Sequence, residues 1–190
     1  MEADWEVEIG DGTPVIHACW EGLVDLRGAP ELAFQFSESR RLPALANALM
    51  QLNAGTSPFW TSKCDVWTPP EFDPDEMEAR GQEGKCPLSC YIDLLPRPDR
   101  LWPSHADAVE ECRSFCSRLR SVSLRCCRAD LVIRRALITA DRHDLGVTAY
   151  LTACGPTADA ARAKLESVLD LFVKSVLAAD HPATASAKLQ

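Results

Sequence analysis

Three groups of side chains in this 190-residue sequence could carry chemistry: nine cysteines, a run of arginines, and an acid set inside an apolar strand. Cys86 and Cys90, then Cys112 and Cys116, repeat a C-x3-C spacing, and Cys126-Cys127 follow closely. Four thiolates can hold zinc tetrahedrally with bonds of about 2.3 Å. A zinc knuckle uses C-x2-C with a Gly-rich turn, and neither pair has one. On a helix, Cys112 and Cys116 share a face with Val109 and Leu119, where free cysteine packs as a small hydrophobe. Both read as core, so no metal ligand is assigned and no cofactor is implied. Cys126 and Cys127 are flanked by Arg125 and Arg128, whose guanidinium charges would lower a thiol pKa. They are the reactive-thiol candidates. The opposing reading is a strand entry with one cysteine inside and one outside, since a reactive thiol also needs a paired base. His17 and Cys19 share a strand parity, but residues i and i+2 stand about 7 Å apart, far for proton transfer.

Seven arginines lie between Arg113 and Arg135, with Asp130 the only acid among them. Of these, Arg113, Arg118, Arg125, Arg128 and Arg134 are candidates for an anion-binding patch, because guanidinium forks suit phosphate and carboxylate. The strand around 128–138 carries no aromatic residue, which disfavours an RNA-recognition sheet. The alternative is pairing of this basic stripe with the chain's own acidic segment, Glu71 to Glu78, or with a second subunit. Asp93 interrupts an apolar strand between Ile92 and Leu94, on the same side as Tyr91. It is either solvent-facing on an edge or a buried carboxylate with a partner such as Arg97. His105, His143 and His181 form no metal or triad spacing, and phosphate-loop and G-x-S-x-G motifs are absent. Trp5, Trp20, Trp60, Trp67 and Trp102 gather in the first hundred or so residues, as core or as rigid anchors of an interface.

The elements that position these groups follow from periodicity. Trp5, Val7 and Ile9 alternate with Glu6 and Glu8, and Gly10-Asp11-Gly12 is a hairpin signal, so a hairpin returning through Val15 to Leu26 is expected. A third strand is expected at Leu32 to Phe36. A helix from Pro43 to Leu52 buries Leu45, Ala48, Leu49 and Leu52, and a strand follows near Lys63 to Thr68. Residues 69–86 form an acidic, Pro-rich linker or loop. A strand at Leu88 to Leu95 precedes a helix capped by Ser104 with Asp107 three residues later. Strands at Asp130 to Ile138 and Val147 to Cys154 flank the turn Asp141-Arg142-His143-Asp144. Thr157 caps a final helix buried through Leu165, Val168, Leu169, Phe172 and Val176. The tail from His181 has too little to bury and is expected to fray.

The expected fold is therefore α+β, a mainly antiparallel sheet with helices packed on one face. Residues 1–68 form a β-hairpin/helix/strand half, and residues 87–180 a β-α-β-β-α half. That second half resembles half of a ferredoxin-like fold. The two halves are expected to share one sheet.

Composition bounds the function. A formal charge of −8 with 46% hydrophobic and 25% charged residues is globular rather than disordered. The acidic N-terminus has no signal-peptide pattern, and no apolar run is long enough to span a membrane. Nine is an odd number, so reduced thiols in a cytoplasmic protein are expected. Residues 1–100 hold 18 acids and 8 bases, whereas residues 101–190 hold 10 and 12. An acidic front would steer a basic partner. The leading expectation is a non-catalytic module that binds a protein partner or self-associates, with neither nucleic acid nor membrane as its partner. An anionic-ligand or nucleic-acid site on the arginines, and a thiol- or zinc-dependent enzyme, are the alternatives.

Overall fold

The computed structural model describes residues 1–10 and 12–178. The strands are β1 (Glu2–Glu8), β2 (Ile16–His17), β3 (Phe59–Trp67), β4 (Cys86–Pro96), β5 (Cys127–Thr139) and β6 (Arg142–Gly155). The helices are α1 (Ser37–Arg41), α2 (Pro43–Asn53), α3 (His105–Arg120) and α4 (Ala158–Leu177). All six strands join one sheet in the order β1-β5-β6-β4-β3, with β2 also paired to β5. The architecture is α+β. Among the described residues, no helix is long and apolar enough to cross a membrane.

The second half follows its periodicity closely. β5 and β6 form an antiparallel hairpin closed at Thr139 and Arg142, and β6 also pairs antiparallel with β4. β4 and β5 therefore run parallel without touching, with β6 inserted between them and α3 as the crossover. Ser104 and Thr157 cap their helices, accepting from Asp107 N–H and Ala160 N–H. Apolar residues of α2, α3 and α4 converge on one face of the sheet, where Phe115 and Phe172 are fully buried. Arg97 finishes this layer. Its guanidinium donates to the carbonyls of Asn53, Ala54 and Ser57 at 2.8–2.9 Å. These carbonyls belong to the end of α2 and the turn after it, where backbone acceptors lack intrahelical partners.

The first 36 residues differ from expectation. β1 and β2 do not pair with each other: both run parallel to β5, β1 along Arg128 to Arg134 and β2 along Ala136 and Leu137. β5 is 13 residues long and offers enough edge for both. One ion pair supports this pairing, Glu8 with Arg134 at 2.7 Å, although the same register sets Asp4 opposite Asp130. Long-range pairing thus overrides the local turn signal; Asp11 of that turn lies outside the described residues, as does the tail from His181. The stretch expected as a third strand is a 3-10 turn, Pro30–Gln35, opened by a proline that cannot donate to a ladder. The acidic loop also packs. Its 3-10 turns, Asp75–Met77 and Gly81–Gly84, set Met77 and Ala79 against Cys126 and Cys154.

Candidate functional site

Alternation along the strands sends two different chemistries to the two sides of the sheet. Cys90, Ile92 and Leu94 of β4, Leu131 and Ile133 of β5, and Val147, Ala149 and Leu151 of β6 face the helices. The opposite parity places Ser89, Tyr91 and Asp93 beside Thr152, Tyr150 and Thr148. On β5 it adds Arg128, Asp130 and Arg134. Among the described residues, no helix of the core layer packs on this second face.

Two chain segments cover its ends and leave the middle open. At one end Ile16 and Ala18 pack on Trp60, Leu95 and Ala136. At the other, Phe72, Met77 and Ala79 pack on Cys126 and Cys154. Between them stand three half-buried aromatics: Tyr91 and Tyr150 with ring centroids 6.0 Å apart, and Trp67 at 6.1 and 6.4 Å from them. Such offset and edge-on contacts hold the rings rigid.

Polar groups beneath the rings satisfy one another. Thr148 Oγ1 donates to Asp93 Oδ1 at 2.7 Å, and Ser89 Oγ lies 2.9 Å from Thr152 Oγ1. Arg134 donates to Tyr150 OH at 2.9 Å and pairs with Glu8 at 2.7 Å. Burial holds the Asp93 carboxyl above the usual carboxylate range, against the pull of the Thr148 hydroxyl and of the Lys63 and Arg134 charges. Tyr91 is pushed up to about 12, first by burial and then by Asp93, so it presents a neutral phenol. Along the rim, β1 contributes Glu2, Asp4, Glu6 and Glu8. Among the described residues no cation lies within 4.0 Å of Glu2 or Glu6.

Asp93 is thus buried, but its partner is Thr148 rather than Arg97. The five candidate arginines are not gathered into one patch. Arg113 on α3 pairs with Glu110 and covers the Trp5 ring. Arg118, also on α3, donates to Ser175 O and Ser114 Oγ. Arg125 reaches Glu83 and the Glu78 carbonyl. Arg128 pairs with Asp130 and Glu76, and Arg134 with Glu8. The contacts of Arg125 and Arg128 are with the acidic loop and its surroundings.

All nine cysteines are free thiols. Cys126 and Cys127 are each 1% exposed, and Cys127 is pushed up to about 12 by burial. Cys126 takes a left-handed backbone, φ 61°, donating its N–H to Met77 O and accepting from Cys154 N–H. Burial raises Cys112, and Cys116 to about 11; both sit among the core residues of α3. Cys19 donates to Ile138 O. Among the described residues no histidine ring is hydrogen-bonded to a thiol or hydroxyl, and no three metal-ligating side chains gather as an ion site.

The aromatic trio is the feature that sequence reasoning missed. Its trace was present: Tyr91 and Tyr150 each occupy the non-core parity of a buried strand. At the β3 edge, a cavity of about 350 Å³ opens beside Tyr91. No family model matches the chain, and neither a curated protein nor a solved structure matches it.

Proposed function

We propose that this protein is a non-catalytic binding module whose open sheet face takes a basic segment of a partner protein. The observation that carries the reading is the pairing of a rigid aromatic trio, Trp67, Tyr91 and Tyr150, with an acidic rim. Aromatic faces attract guanidinium and ammonium groups, and Arg134 already lies 5.6 Å from the Tyr150 ring centroid. Glu2 and Glu6 supply unpaired carboxylates on the adjoining strand. Of the two candidate thiols, Cys126 is buried, and Cys127 is buried with a raised pKa, which makes it a poor nucleophile. In this reading β4-α3-β5-β6-α4 is a ferredoxin-like half that supplies the floor, and the protein is cytosolic, with its thiols reduced. Self-association along β1 is opposed, since two copies would set glutamates against glutamates.

The test uses a fluorescein-labelled peptide of alternating arginine and threonine, titrated by anisotropy. The expected outcome is binding that weakens as salt rises from about 0.01 M to about 1 M, which shortens the screening length from about 30 Å to about 3 Å. Trp67→Ala with Tyr150→Ala should weaken binding at least about ten-fold, the loss of two aromatic contacts. Equal binding of an alternating glutamate–threonine peptide, or no binding of the arginine peptide at low salt, sinks the proposal.

A further inference from the structure

The cavity at the β3 edge is built by two departures from regular backbone. The register of β3 on β4 shifts between Thr61 and Cys64, so Ser62 and Lys63 both oppose Asp93. A bulge of this kind re-aims side chains, and here it brings Lys63 to the cavity wall. The roof is the segment after β2. Trp20 Nε1 donates to Ser62 O at 3.5 Å, and Ser62 Oγ donates to His17 O at 3.0 Å. Gly22 turns the chain with φ 97°, and a Cβ there would stand 2.9 Å from the Trp20 ring. Only glycine lets the backbone fold this closely over the indole.

The lining divides by chemistry. Leu26, Phe36 and Leu49 make an apolar wall, while Glu38 and Lys63 bring one charge of each sign. Glu38 accepts from Ser37 Oγ, and no ion pair forms between it and Lys63 within 4.0 Å. Lys63 Nζ lies 5.5 Å from the Trp20 ring centroid. Cys64 is pushed up to about 12 by burial and by Glu38, Asp65 and Asp93, so it presents a neutral thiol. At about 350 Å³ the cavity falls in the size class of small-molecule sites, about 300–1,000 Å³.

We infer that this cavity binds a small apolar zwitterion of the α-amino-acid type, its carboxylate on Lys63, its ammonium on Glu38 and its side chain on the Leu26–Phe36–Leu49 wall. A lone cation would meet the Lys63 ammonium. A lone anion would meet the Glu38 carboxylate. A zwitterion satisfies both charges, and the dry wall selects an apolar side chain. The inference stands apart from the open-face reading, with which it shares only Tyr91.

Isothermal titration with L-leucine, L-methionine and L-phenylalanine tests it, alongside 3-methylbutylamine and 4-methylpentanoate, which each lack one charge of leucine. At least one amino acid should bind, and the two single-charge analogues of leucine should bind at least about ten-fold more weakly than leucine if leucine is the ligand, the effect of one lost charged hydrogen bond. Lys63→Ala should weaken amino-acid binding about ten-fold and strengthen binding of the amine, whose charge Lys63 repels; Glu38→Gln should weaken the amine and strengthen binding of the carboxylate analogue. Circular dichroism confirms that both variants fold. The inference is overturned if none of the three amino acids binds, or if one binds and neither variant alters its affinity. Arginine-peptide binding is read independently through Trp67 and Tyr150, so either proposal can fail alone.

Discussion

The two faces of one sheet have been solved in opposite ways. Against the helices, β4, β5 and β6 present leucine, isoleucine, valine, alanine and cysteine, closed over by Phe115 and Phe172. On the other side, the same strands present hydroxyls, tyrosines, two arginines and two carboxyls, most of which pair with one another. Stability therefore belongs to the first face, and recognition, in the reading proposed above, to the second. A side chain's parity decides which it serves.

The comparison breaks most visibly at Phe115. This ring is fully buried and meets Phe59 edge-on with centroids 6.0 Å apart. Phe115→Ala should lose about 3–5 kcal/mol of unfolding free energy, the transfer loss plus the cavity left behind. Urea denaturation followed by far-ultraviolet circular dichroism reads it. A loss below about 1 kcal/mol would show that the helix-covered face can be emptied freely, and the division of labour would be wrong.

An intermediate effect is expected where the open face is sealed. Gly146 lies under Ile16, and a Cβ there would come within 2.8 Å of Ile16 Cδ1 and 3.0 Å of the Leu94 carbonyl oxygen. The backbone contact cannot rotate away. Gly146→Ala should therefore cost about 1–3 kcal/mol by overpacking, and should loosen the segment that carries Ile16, Ala18 and Trp20. Faster hydrogen exchange at the Ala18 amide, which donates to Leu137 O, is the local readout. An unchanged exchange rate would mean that the seal is not held there.

How much of this was legible from residues alone follows the same division. Helices α2, α3 and α4 were readable because each buries an apolar stripe, and two carry a side-chain cap at Ser104 or Thr157. Strands β4 to β6 were readable from alternation, but the turn expected at Asp141-Arg142-His143-Asp144 falls at Ala140–Asp141, and Arg142 to Asp144 already belong to β6. The first 36 residues were not. Gly10-Asp11-Gly12 is a local signal, whereas the pairing of Glu2–Glu8 with Arg128–Arg134 joins segments 126 residues apart. No window of neighbouring residues contains it. The open face was half legible for a related reason: Asp93 was visible as a misfit in an apolar strand, with Tyr91 on its side, but Thr148, Tyr150 and Trp67 become their neighbours only through the register of three strands. The arginines cluster in sequence but span a helix, a loop and a strand, which point them in different directions.

The smallest effect expected is a pH slope, and it sharpens what the open face does with its buried acid. In the unfolded chain Asp93 ionises near the ordinary value of about 3.9; in the folded protein burial defers that ionisation to higher pH. Between the two values the folded state holds a proton that the unfolded state has released, so stability falls as pH rises through this window and is flat on either side. Asp93→Asn removes the titration and keeps an oxygen to accept from Thr148 Oγ1. Relative to the natural protein, the variant should gain stability as pH rises through the window and hold that gain at neutral pH. On the helix-covered face no substitution of a core residue such as Ile92 should produce any such slope. Urea midpoints for both proteins, measured from about pH 3 to about pH 7, decide the matter. Parallel curves, or a variant that gains on acidification, would show that Asp93 is held ionised at no cost, and the polar face would then be built around a charge rather than around a neutral hydrogen-bonded floor.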